Sequence, residues 1–140
     1  QALQLNKIKK NIQFECIDIR EYKKSNYFDI IISNPPYMDD NGKKINENEH
    51  KAISRHEIKL SLSELISNAK RLLKPIGLLF FIHRTHRLVE IIKALDKNNF
   101  SIKKIIFIYS AQNNKSTMMF VEAIKGKKVK LEIQNYYIYH

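Results

Sequence analysis

An apolar run, Phe28-Asp-Ile-Ile-Ile-Ser33, stops abruptly at Asn34-Pro35-Pro36-Tyr37. The chain has three prolines and sets two of them here. Each proline fixes φ and removes a backbone donor. What remains is a rigid row of acceptors, the Asn34 side-chain oxygen and nearby carbonyls, with the flat ring of Tyr37 beside it. Acceptors next to a ring suit a planar amine, such as the amino nitrogen of adenine or of a carboxamide. Such a nitrogen is a poor nucleophile because its lone pair is conjugated. Two acceptors on its hydrogens favour a pyramidal nitrogen and free the lone pair, while the ring stacks on the planar group. The chemistry is positioning and electrostatic preorganisation, with no general base required beforehand.

These residues have to be placed by a framework, and the flanking sequence supplies one. In open α/β sheets ligands bind beyond the carboxyl ends of the strands. The near-continuous apolar run at 28–33 predicts a strand buried on both faces, ending at Asn34. Alternation over 12–17 predicts an earlier short strand ending at Asp18. Ser61 and Glu64 form the S-x-x-E pattern of a capping box, and Leu62, Leu65, Ile66, Ala69, Leu72 and Leu73 follow at helical spacing. Pro75 and Gly77 end that helix. A second buried strand is expected at 78–82, then a helix capped by Thr85 with Leu88, Ile91, Ile92 and Leu95 on one face. Strands at 100–109 and 117–124, joined by a polar connection, read as an antiparallel hairpin. The last residues read as a short strand or an aromatic tail. Strands alternating with helices predict an α/β, mostly parallel sheet. Residues 38–56 show no periodicity and predict a long mobile loop over the substrate.

Composition narrows the class. A chain of 140 residues, 44% hydrophobic, is one domain at most. No apolar run reaches the length of a membrane span, and none resembles a signal peptide. The lone Cys16 gives no disulfide framework and fits a reducing, cytoplasmic setting. The five histidines lack zinc-like spacing, so no metal is expected. The net charge of +11 has two readings. One is the Lys, Asn and Ile usage of an A+T-rich genome; the other is a polyanionic partner such as nucleic acid. Gly42, Gly77 and Gly126 are the only glycines, so no Gly-rich nucleotide loop is present.

Asn-Pro-Pro-Tyr after "FDIIIS" resembles motif IV of the class I S-adenosylmethionine-dependent amino methyltransferases. The resemblance implies a Rossmann-like methyltransferase sheet with a closing antiparallel hairpin. It also implies that Asn34 and Pro35 hold the target amine, with Pro36 setting the turn and Tyr37 stacking on the base. It places Asp18 and Ile19 beside the cofactor adenine, with Asn34 touching the same ligand. "SRHE" (54–57), "LLKPIGLLFFIHR" (72–84), "RLVEII" (87–92) and "TMMFVEAIKGKK" (117–128) are similar to the bacterial enzymes that methylate N6 of adenine 37 in valine tRNA. The expected activity is therefore methylation of the exocyclic amine of a tRNA adenine. The alternatives are glutamine methylation of a protein such as a release factor, or a non-catalytic RNA-binding remnant.

Further residues acquire candidate roles from that substrate. Lys43, Lys44, Lys51 and Arg55 could grip the tRNA backbone, or simply solvate a lid. Arg84 and Arg87 could bind phosphate, or merely decorate a helix start. Tyr136, Tyr137 and Tyr139 could stack on bases, or pack on the core. Against the family pattern, the first strand with its Gly-rich loop and the acidic residue after it are missing. "KPIG" also stands where the family has "KPGG", which reads as a minor change. The chain, beginning at Gln1, is thus expected to be the C-terminal part of one methyltransferase domain, incomplete and binding S-adenosylmethionine weakly or not at all by itself. The family sheet order leaves the 28–33 strand as an open apolar edge, so a homodimer through that edge is expected.

Overall fold

The structure of the chain, a computed structural model, describes residues 12–35, 60–110 and 115–138. Five strands form one sheet: β1 (Phe28–Ser33), β2 (Leu73–Arg84), β3 (Phe100–Ser110), β4 (Met118–Lys125) and β5 (Glu132–Ile138). Their spatial order is β1-β2-β4-β3-β5. Helix α1 (Leu62–Leu72) lies between β1 and β2 in the chain, and α2 (Leu88–Lys97) between β2 and β3. β1 is parallel to β2 and β5 is parallel to β3, while β4 runs antiparallel to both of its neighbours. Four strands therefore point one way and β4 alone runs back. This is the expected α/β sheet with its antiparallel hairpin.

Local chemistry accounts for α1. The Ser61 hydroxyl accepts the Glu64 N–H, and the Glu64 carboxylate accepts the Ser61 N–H at 2.8 Å, so both orphan donors are satisfied. Glu64 in the first turn and Lys70 and Arg71 in the last complement the helix dipole. Leu62, Leu65, Ile66, Ala69 and Leu72 are all buried. Leu62, Ile66 and Ala69 share one core with Leu79, Phe81, Met119, Val121, Ala123 and Ile105 of one sheet face, together with Ile91 and Leu95 of α2. Fully burying side chains of this size contributes about 1.5–3 kcal/mol each.

Several expectations are corrected. Residues 12–18 form no strand; a strand is stabilised by a ladder, and no described strand pairs with this segment. Phe14 is consequently 78% exposed. β1 is not buried on both faces: Ile30 and Ile32, in register with Leu78 and Phe80 on the face away from the core, are 52% and 79% exposed. Thr85 does not cap α2. It opens a 3-10 turn, Thr85–Arg87, its N–H bonds the Thr117 carbonyl at 3.1 Å, and its hydroxyl meets that of Ser116 at 3.3 Å. Ile92 faces solvent while Ile91 and Leu95 are buried. Residues 38–56 lie outside the described residues.

The start of β2 contains a feature that the sequence understated. Between Phe28↔Leu73 and Ile30↔Leu78 the register advances two residues on β1 and five on β2, so Lys74–Gly77 bulge out. Ile76 in that bulge has φ +60. A β-branched residue in the left-handed region costs roughly 1–2 kcal/mol relative to its relaxed backbone. The isoleucine of "KPIG" is thus more than a minor change from glycine: it occupies the one backbone position there that favours glycine.

Candidate active site

The strand directions gather the site. The carboxyl ends of β1, β2, β3 and β5 and the start of β4 share one end of the sheet. At β1 this end is Asn34, exposed, followed by Pro35, buried. The buried ring anchors the chain as it leaves the strand, and the amide ahead of it is presented outward. Pro36, Tyr37, Lys43, Lys44, Lys51 and Arg55 lie outside the described residues. At β2 the end is His83, buried, and Arg84, exposed. Burial, reinforced by the Arg87 charge, lowers the His83 pKa and keeps its imidazole neutral. His83 Nδ1 accepts the Arg84 N–H at 2.9 Å, which leaves the ring proton on Nε2. Arg87 is turned onto its own helix, with Nε and Nη2 on the Glu90 carboxylate at 2.8 and 2.5 Å. Of the two arginines singled out for phosphate, Arg84 is the one whose side chain lies exposed at the sheet end.

The side chains of Asp18 and Ile19 have different surroundings. Arg20 donates to both carboxylate oxygens of Asp18 through its guanidinium and to one through its backbone N–H. Those hydrogen bonds pull the Asp18 pKa from 3.8 to about 2 and raise that of Arg20. Arg20 Nη1 also reaches Glu64 Oε1 at 3.3 Å, so Asp18 is tied through it to the capping box of α1. Arg71 completes the staple. Its guanidinium donates to the carbonyls of Ile19, Tyr22 and Lys24 at 2.9, 2.5 and 2.9 Å. Ile19 instead lines a groove of about 570 Å³ between the 13–24 segment and the open edge of β1, with Ile17, Tyr22, Tyr27, Ile30 and Ile32. Sequence reading missed Arg20 and Arg71. An arginine two residues after the aspartate was the available sign for the first; nothing local pointed to the second, 52 residues from Ile19.

The donor set fits S-adenosylmethionine on one side only. Asn34 offers an amide acceptor, and the groove offers an apolar wall. Gly77 and Gly126, in the β2 bulge and just after β4, lie at the far end of the sheet from Asn34 and supply no cradle for the ligand. The Asp18 carboxylate accepts from Arg20. Among the described residues no group of three His, Cys, Asp or Glu side chains is placed to hold a metal ion.

Residues 2–116 match the family described as Eco57I restriction-modification methylase. No curated protein matches the chain in sequence. Among solved structures, Atu636 of Agrobacterium tumefaciens, described as a predicted O-methyltransferase, is similar at 25% identity and a TM-score of 0.58, over 83% of this chain and 45% of that one. A Listeria monocytogenes protein described as an S-adenosylmethionine-dependent methyltransferase aligns at 13% identity and a TM-score of 0.60, over 90% and 76%. M1.HpyAVI, also solved as a complex with SAM, aligns at 17% identity and a TM-score of 0.50, over 83% and 60%. These likenesses show the fold, a partial Rossmann-like methyltransferase sheet whose neighbours use S-adenosylmethionine. The chain spans less than half the length of Atu636.

Proposed function

Because the chain belongs to the Eco57I restriction-modification methylase family, we propose that it forms the amine-holding half of an S-adenosylmethionine-dependent methyltransferase acting on the exocyclic amine of an adenine in nucleic acid. The observation that carries this reading is Asn34, exposed at the carboxyl end of β1 and followed by a buried Pro35. The Asn34 side-chain oxygen and the Pro35 carbonyl accept the two amine hydrogens. The nitrogen lone pair is thereby released from the ring, and the proton lost on transfer leaves along one of these two hydrogen bonds towards solvent. The cofactor, when bound, supplies an electrophilic methyl group on its sulfonium sulfur. Tyr37 is assigned the stacking role.

The family description favours DNA as the substrate, and the stretches at 54–57, 72–84 and 117–128 favour tRNA. Both are polyanions, and a chain of net charge +11 attracts either. The complete enzyme, given tritiated S-adenosylmethionine with duplex DNA, tRNA and a release factor in parallel, decides between them. Label in N6-methyladenine of one nucleic acid supports the reading and names the substrate. Label only in the protein, or none in any acceptor, overturns it.

A further inference from the structure

β5 is an odd element: all seven of its residues are exposed, so it adds nothing to the core. Yet it is laid in register on β3 from Lys104↔Glu132 to Ser110↔Ile138. Its direction carries its last residues to the sheet end that bears Asn34. There the ring of Tyr137 stacks on that of Tyr109, with centroids 5.1 Å apart and planes inclined by 20°. Tyr137 remains 49% exposed. Three and four inter-strand steps of roughly 4.8 Å put Tyr109 and Tyr137 about 14 and about 19 Å from the strand of Asn34. Between them, along the same sheet end, stand the exposed Arg84 and the exposed Lys115. The acidic side chains Asp18, Glu64 and Glu90 are each engaged by an arginine.

We propose that the Tyr109–Tyr137 pair is a base-stacking platform for single-stranded nucleic acid beside the target adenine, with Arg84 and Lys115 following the phosphates between the two. The proposal rests on the nucleic-acid reading of the site and extends it to the substrate's flanking bases. Every base has a π-face, so an aromatic platform holds a strand without reading its sequence. A ring already fixed against a second ring loses little freedom when a base settles on it. This gives an exposed strand at the site end a function that core packing does not supply.

The test titrates the 140-residue chain at low salt with a single-stranded oligonucleotide in DNA and RNA versions, and with an abasic oligodeoxynucleotide of equal length. Tyr137→Ala is expected to weaken binding of the base-bearing strands about fivefold or more, and to leave the abasic strand unaffected. Tyr137→Phe, which keeps the ring, binds as the parent does. So does Ile133→Ala, which lies on the same strand at its other end. Circular dichroism checks that each variant folds. Unchanged affinity in Tyr137→Ala overturns the platform while the nucleic-acid reading stands. Equal losses on the abasic strand, or in Ile133→Ala, also overturn it, because the effect then comes from charge or from pairing of the strand. Light scattering that shows a dimer dissolved by Tyr137→Ala assigns the edge to a second copy instead. No binding by the parent chain to any strand overturns both readings.

Discussion

At the scale of single residues, Asn34 is the acceptor on which the proposed function rests, and Asp18 is bonded by Arg20. On the proposed reading, Asn34→Ala in the active enzyme removes an acceptor from the reacting nitrogen. The expected loss is on the order of 3 kcal/mol in the chemical step, with substrate binding nearly unchanged. Single-turnover rates with matched melting curves measure it; near-parent turnover would remove Asn34 from the chemistry. Asp18 is expected to behave differently. Its folded pKa lies below its ordinary value, so its contribution to docking the 18–24 segment is complete above 3.8 and is lost as the pH falls through about 2. The Arg20 Nε–H resonance should follow that window. Asp18→Asn should abolish the transition. A midpoint near 3.8 would show that the Arg20 contact is not maintained in solution.

At the scale of elements, the β2 bulge places two residues under opposite constraints. Ile76 occupies a left-handed backbone at φ +60, and its side chain is 60% exposed. Ile76→Gly should stabilise the chain by up to about 1 kcal/mol, the relief of strain exceeding the greater freedom of the unfolded chain. Its neighbour admits no such change. A Cβ on Gly77 would meet Leu73 Cδ2 and the Lys74 carbonyl at 3.0 Å and the Asp29 carbonyl at 3.2 Å. Two of those three are backbone, so Gly77→Ala should destabilise by roughly 1–3 kcal/mol. Denaturant melts of the two variants should move in opposite directions, and a shift of the same sign in both would contradict the bulge geometry. Helix α1 needs no comparable argument, since its box, its charges and its apolar stripe all agree.

At the scale of the whole molecule, the sheet ends on β1, whose outer edge has no ladder partner among the described residues. That edge carries Ile30 and Ile32 and flanks the apolar groove. An unpaired apolar edge recruits another strand. The isolated chain is expected to self-associate at micromolar concentration, and Ile32→Lys, a charge on the exposed edge, should shift it towards monomer. Light scattering of both proteins across a dilution series reads this directly, and a parent chain that is strictly monomeric and well folded would show the edge to be covered within one molecule.

What the sequence determined by itself was local. Prolines after an apolar run ended β1 at Ser33, just before Asn34, a capping box began α1 at Leu62, and a polar connection between two apolar runs set β3 against β4. Each of these depends on residues a few positions apart, so the chain states them wherever it folds. Tertiary structure decided what depends on distant partners. Residues 12–17 alternate like a strand but have no ladder among the described residues, and without one their side chains stay exposed. The sequence put Asp18 at a strand end, and the fold adds that Arg20 bonds its carboxylate and links it to Glu64. Thr85 had the chemistry of a cap, and Ser116 and Thr117 took its hydroxyl and N–H. Hydrogen bonds and ion pairs are short-ranged and exclusive, so a polar side chain's role is settled by which partner the fold brings within reach.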